Sequence, residues 1–249
     1  MATKIRIVQS TRSETRLAGG RRIVLDFREE DGDPVPAILL LPDAEAAAPG
    51  AILLHGYSSR KEHMADEVGR ALLAEGIASL AVDLPLHGDR ADPLQAQSAR
   101  NPLAAVRLWR SALQEAGLAV RYLGARREVD GGRLGVAGYS LGSFLAVALA
   151  AGEPRVKAVV VAAGGDLPSG TPLAAVARTV ADPTRAVRRL SPRPLLMVHG
   201  RDDRTVRPEQ AERLYAAAGE PKELRWYAAG HYLPAAAIQY AAGWLRERL

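Results

Sequence analysis

Ser140 lies in the pentapeptide Gly138-Tyr139-Ser140-Leu141-Gly142, between the apolar runs Leu134 to Ala137 and Leu141 to Ala151. A G-x-S-x-G between a strand and a helix is a sharp turn that lifts a serine hydroxyl above a sheet edge. The glycines follow from that geometry, because a side chain at either position would collide with neighbouring backbone. A serine hydroxyl is a poor nucleophile at neutral pH, so it needs an imidazole to take its proton and a carboxylate to orient the imidazole. Candidates follow in the chain order Ser, Asp, His: the acids of His199-Gly200-Arg201-Asp202-Asp203, and the histidine of Ala229-Gly230-His231-Tyr232. An anionic tetrahedral intermediate also needs backbone donors. The amide of Tyr57, in His55-Gly56-Tyr57 after the run Ala51 to Leu54, is one expected donor, and the amide of Leu141 at a helix start is the other.

Each residue has a plainer use to weigh. Serine is favoured at helix N-caps, but flanking glycines and three placed partners argue for more than a cap here. Asp202 and Asp203 both qualify by position. Among the other histidines, His55 and His199 precede glycine at strand ends and are expected to bond loop backbone, while His63 lies near a helix start. His87 is the next candidate after His231, because its loop is expected to reach the pocket. Tyr57, Tyr139 and His87 are the expected substrate contacts. No H-x-x-x-H or carboxylate pairing has metal-ligand spacing, so no metal and no other cofactor is expected.

Alternating strands and helices must position these groups. Ile5 to Gln9, Arg22 to Phe27 and Val35 to Leu41 read as strands, the last two joined by the turn-forming Asp31-Gly32-Asp33-Pro34. This start is antiparallel. Apolar runs at 51–54, 77–82, 134–137, 156–161, 195–198 and 224–227 then alternate with helical patterns at 62–74, 102–123, 141–151, 208–218 and 234–249, as βαβ units and a parallel sheet require. Pro102, Pro208 and Pro234 sit where a first helical turn tolerates proline. The segment 164–194 holds five prolines and is expected to carry a helix over about 173–180.

Composition narrows the class. The chain has 249 residues, 48% of them hydrophobic, enough for one large core. Its net charge of +5 is scattered arginine interleaved with acids, since lysine occurs only at positions 4, 61, 157 and 222, so nucleic acid is not an expected partner. The first residues lack the apolar stretch of a signal peptide and no run approaches a membrane span, so a cytoplasmic protein with no membrane partner is expected. There is no cysteine, hence no disulfide and no thiol nucleophile.

Over residues 21–249 the chain resembles the α/β-hydrolase superfamily, and within it the small-lid or lidless serine esterases and dienelactone-hydrolase-like proteins. The motifs that carry the resemblance are His55-Gly56-Tyr57, Asp83-Leu84-Pro85-Leu86-His87-Gly88, Gly138-Tyr139-Ser140-Leu141-Gly142, His199-Gly200-Arg201-Asp202-Asp203 and Gly230-His231. It implies an α/β fold in a single domain, with a mostly parallel eight-stranded sheet, antiparallel N-terminal strands and helices on both faces. The family places its acid four residues after the histidine of the H-G pair, which selects Asp203. The implied activity is a carboxylesterase on small to medium acyl esters, with Ser140, His231 and Asp203 as triad and the Tyr57 and Leu141 amides as oxyanion hole. Thioesterase, lactonase or acyltransferase chemistry on the same triad, and a non-catalytic binding role, are the alternatives. Dienelactone hydrolases proper carry a cysteine nucleophile, and Ser140 in its place favours esterase over lactone-specific chemistry. Segments 84–101 and 164–194 are expected to overhang the serine as a small cap, with Pro168, Leu173, Val176 and Val180 as an apolar wall.

Overall fold

A computed structural model of the chain describes residues 6–91, 101–168 and 178–249. The strands are β1 (Ile7–Leu17), β2 (Gly20–Glu29), β3 (Val35–Pro42), β4 (Ala48–Leu54), β5 (Ala78–Val82), β6 (Val129–Tyr139), β7 (Val156–Ala162), β8 (Leu195–Gly200) and β9 (Lys222–Tyr227). They form one sheet in the order β1-β2-β3-β5-β4-β6-β7-β8-β9. Pairing is antiparallel from β1 to β2, β2 to β3 and β3 to β5, and parallel from β5 across to β9.

The sheet has nine strands where the resemblance implies eight, and β1 is longer than the expected Ile5 to Gln9. Its residues from Gln9 to Arg16 are exposed and polar, so no hydrophobic alternation announces them. Backbone pairing with β2 holds this edge instead, through a two-residue hairpin between Leu17 and Gly20. The register slips between Thr11 and Ser13, a bulge of the kind that blunts edge strands.

Helices cover both faces. On one lie α1 (Lys61–Met64), a π-helical turn (Ala65–Gly69), α2 (Arg70–Ala74) and α7 (Ala235–Arg246); on the other lie α3 (Pro102–Gly124), α4 (Leu141–Gly152), α5 (Pro183–Val187) and α6 (Pro208–Ala217). Successive strand residues alternate between these layers. Ile52 and Leu54 pack under α3 and α4, while Ala51 and Leu53 pack under α2 and α7. All four are fully buried, so β4 reads as an unbroken apolar run, as a strand covered on both faces must. Asn101 caps α3, its side chain accepting from the Leu103 amide at 2.9 Å. The helix expected over 62–74 is interrupted by the π turn. Of the helix expected over about 173–180, residues 173–177 lie outside the described residues and 178–180 are helical.

Candidate active site

Register brings the site together. Leu54 of β4 pairs with Gly138 of β6, so Gly56-Tyr57 and Tyr139-Ser140-Leu141 leave the sheet side by side. Gly200 of β8 pairs with Tyr227 of β9, and the loops that follow are bonded through Arg201 N to Tyr227 O and Asp202 N to Ala229 O, both at 2.9 Å. A Cβ on Gly200 would fall 2.2 Å from the Gly230 carbonyl oxygen, so the approach of these two loops demands glycine.

The turn at Ser140 is strained and held. Its φ of 50° and ψ of −114° lie in a region that costs a side-chain-bearing residue on the order of 1–3 kcal/mol. Three hydrogen bonds fix it: Ser140 N donates to Ala162 O at 2.9 Å, and Ser140 O accepts from Ser143 N at 2.9 Å and Ser143 Oγ at 2.6 Å. A Cβ on Gly138 would lie 2.1 Å from Gly142 O, and one on Gly142 would lie 2.0 Å from Leu54 O. Both glycines are therefore steric requirements of the turn.

His231 Nε2 lies 3.0 Å from Ser140 Oγ, and His231 Nδ1 lies 2.8 Å from Asp203 Oδ2. An ionised carboxylate only accepts, so the imidazole proton belongs on Nδ1 and the Nε2 lone pair faces the serine hydroxyl. Asp203 is buried, and its other oxygen accepts from the amides of Thr205 at 2.8 Å and Val206 at 3.0 Å. Asp202 is exposed. The structure thus brings Asp203, and not Asp202, to the imidazole.

The other histidines are engaged elsewhere. His55 is buried, with Nδ1 on the Gly56 carbonyl at 2.8 Å and Nε2 accepting from the Leu84 amide at 3.0 Å. Burial lowers its pKa to about 4, the Gly56 carbonyl opposing only in part. His199 Nε2 bonds Val206 O at 2.9 Å, and burial lowers its pKa as well. His63 meets Ser59 Oγ at 3.0 Å, and His87 Nδ1 donates to Pro85 O at 2.8 Å.

The two amides expected as donors have no protein acceptor among the described residues. The Leu141 amide opens α4, where first-turn N–H groups lack intrahelical partners. The Tyr57 side chain is exposed and meets the His87 ring edge-on at 5.5 Å. Tyr139 sits differently. Its hydroxyl donates to the His231 backbone carbonyl and its ring meets the imidazole at 5.7 Å. Burial raises its pKa to about 12, so the phenol stays protonated and able to donate to the His231 carbonyl.

Two cavities of about 360 Å³ each are lined by residues next to Ser140 in the chain, Leu141 in one and Tyr139 in the other, though not by Ser140 itself. The first is lined by Tyr57, His87, Leu108, Trp109, Leu141 and Leu145, and the second by Met64, Glu67, Tyr139, Tyr232, Leu233 and Ile238. Of the apolar wall expected from Pro168, Leu173, Val176 and Val180, only two residues can be placed. Leu173 and Val176 lie outside the described residues, and Pro168 and Val180 face neither cavity. The buried Asp166 carboxylate pairs with Arg178 at 2.8 Å and with Arg213 of α6 at 3.1 Å. Tyr232 is the residue sequence reasoning missed. The signal the sequence offers is an aromatic directly after His231; the structure adds that it is exposed and lines the second cavity.

The dienelactone hydrolase family model matches residues 35–239. The Bacillus subtilis (strain 168) protein named "Putative esterase YitV" is 22% identical over 257 residues, covering 91% of this chain and 100% of that protein. Among solved structures, a cold-adapted esterase from an Arctic intertidal metagenomic library matches with a TM-score of 0.75 at 22% identity, over 96% of this chain and 98% of that one. Acetyl xylan esterase 1 from Thermoanaerobacterium sp. JW/SL YS485 matches with a TM-score of 0.77 at 20% identity, over 99% and 89%. At such identity these structures establish a common fold.

Proposed function

Because the chain belongs to the dienelactone hydrolase family, we propose that it is a serine carboxylesterase acting on small-molecule esters, built as one α/β-hydrolase domain with a small cap-like insertion around 164–194. The observation that carries this reading is the continuous path from Asp203 through His231 to Ser140, at 2.8 and 3.0 Å. Ser140 Oγ attacks the ester carbonyl as His231 Nε2 takes its proton, and Asp203 stabilises the imidazolium through Nδ1. The oxyanion develops against the Tyr57 and Leu141 amides, whose lack of a protein acceptor supports this role. His231 returns the proton to the leaving alcohol, then activates the water that frees the acid and restores Ser140. Tyr139 positions His231 from behind, and His87 and Tyr57 contact the substrate in the first cavity. A serine where dienelactone hydrolases proper have cysteine supports ester over lactone-specific chemistry. No helix among the described residues is long and apolar enough to cross a membrane.

Replacing Ser140 with alanine tests the reading. The variant is expected to fold as the parent and to lose at least about a thousandfold in kcat/KM on its best ester. Full hydrolysis by that variant would place the nucleophile elsewhere.

A further inference from the structure

β8 ends in His199-Gly200, and the turn that follows carries Asp203. Of residues 201–207 only Asp203 and Val206 are buried, so packing alone holds little of this turn. Hydrogen bonds pin it at three places. Backbone bonds from Arg201 N and Asp202 N tie its start to Tyr227 and Ala229, at the end of β9 and just beyond it. Asp203 Oδ1 draws in the Thr205 and Val206 amides, which fixes the carboxylate within its own turn. The third pin is the His199 ring, whose Nε2 lies 2.9 Å from the Val206 carbonyl oxygen. A carbonyl only accepts, so Nε2 carries the proton and donates. The same nitrogen lies 3.6 Å from Asp203 Oδ2, the oxygen that meets His231 Nδ1 at 2.8 Å. Trp226, the register partner of His199 on β9, closes the flank of the ring edge-on at 5.5 Å.

We infer that His199 is a positioning residue for the triad: rooted in β8, its ring ties the far end of the turn to the sheet and so aims Asp203 at His231. This rests on the serine esterase reading and adds a residue to it. The bonds of Asp203 Oδ1 move with the turn, so they set the carboxylate relative to Thr205 and Val206 and leave its place against the sheet open. The His199 bond supplies that reference, because Val206 is then held through its amide by Asp203 and through its carbonyl by the sheet. Without it the turn can pivot about its tied start, and a shift of about 1 Å breaks the bond to Nδ1. The donor must also be neutral. A cation at this place would compete with His231 for the carboxylate, whereas a neutral N–H holds the turn and leaves the charge of Asp203 to the imidazolium. Burial lowers the pKa of His199, the Val206 carbonyl and Asp203 opposing only in part, and so keeps it in that form.

A double-mutant cycle between His199 and Asp203 tests this. His199→Phe keeps a ring of similar shape against Trp226 and removes the donor. On the best ester it is expected to lower kcat by about ten- to a hundredfold with KM changed less than about twofold, in protein whose circular dichroism matches the parent. Combined with Asp203→Asn, the same substitution should add less than about twofold to the loss that Asp203→Asn causes alone, because His199 acts only through that carboxylate. An unchanged kcat in folded His199→Phe overturns the inference. So does an undiminished loss in the Asp203→Asn background, which would make the ring a general support of the fold. If the phenylalanine variant misfolds, His199→Leu takes its place in the cycle. The wild-type protein supplies an independent check: ¹⁵N NMR at about pH 7.5 should show His199 neutral with its proton on Nε2, and a proton on Nδ1 instead would overturn the bond to Val206. Wild-type protein that is folded and hydrolyses no ester would instead remove the esterase reading.

Discussion

Two buried aspartates stand at the same edge of the sheet, each with three donors, and they do opposite things. Asp83 follows β5 and accepts from the Lys61 amide at 2.8 Å, Lys61 Nζ at 2.8 Å and the Asp89 amide at 2.9 Å. Asp203 follows β8 and accepts from two amides and His231 Nδ1. The difference is the third partner. Lys61 is itself only 1% exposed and also meets Glu62 and Asp89, both at 3.0 Å. Burial pulls its pKa down, but these acidic partners outweigh that and leave it above the ordinary lysine value. Lys61 therefore stays charged, tying the start of α1 to the loop that carries His87. The partner of Asp203 is an imidazole, 18% exposed, whose other nitrogen faces Ser140 Oγ at 3.0 Å. One carboxylate is structural and the other is available for the proposed chemistry, although the amino acid and its burial are the same.

The sharpest way to break this contrast is Asp203→Asn. An asparagine amide would donate to Nδ1 and turn the Nε2 lone pair away from Ser140, so kcat is expected to fall on the order of 10⁴-fold with the fold intact. A loss below tenfold in steady-state hydrolysis would mean that Asp203 does not orient the base.

Asp83→Asn should do the reverse. It leaves Lys61 with only the partly exposed Glu62 and Asp89 as counter-charges, which is expected to cost about 1–3 kcal/mol of stability, measured by urea denaturation. An unchanged midpoint would refute the structural role.

His55 sharpens the comparison from the side of the bases. Its folded-state pKa of about 4 lies below the unfolded value of 6.5, so the unfolded chain binds more protons between them. Stability is therefore complete above about pH 6.5 and declines as pH falls towards 4, by about 3 kcal/mol for this group. His55→Gln should flatten that part of the stability profile.

The smallest effect belongs to Arg12, in the β1 bulge, which pairs with Asp26 and Asp89 and so extends the Asp83 cluster to the surface. Its side chain is 43% exposed, and Arg12→Ala should cost less than about 1 kcal/mol. A larger loss would make the cluster a single cooperative unit reaching the sheet edge.

What could be read in advance follows from how local each signal is. The turn at Ser140 was legible because glycine spacing and a strand-to-helix change are encoded within a dozen residues. Three helix starts were legible from proline, and the buried strands from apolar runs. Strand β1 was not, because an edge strand held by backbone bonds needs no apolar alternation. The π turn left no mark either, since its residues keep a helical pattern. Lys61 and Asp83 were invisible as a pair because their bond spans 22 positions and depends on β4 lying beside β5.

By itself, then, the amino-acid order determined the elements, their α/β alternation, and a serine, two candidate acids and a histidine at the ends of strands. Only tertiary structure decided that Asp203, the acid the family spacing selects, lies 2.8 Å from His231 Nδ1, that Tyr139 braces that histidine, and that the neighbours of Ser140 line two cavities. The physical reason is distance along the chain. Contacts spanning 28 and 91 residues depend on the register of six strands and the packing of two helical layers, and no local pattern carries that sum.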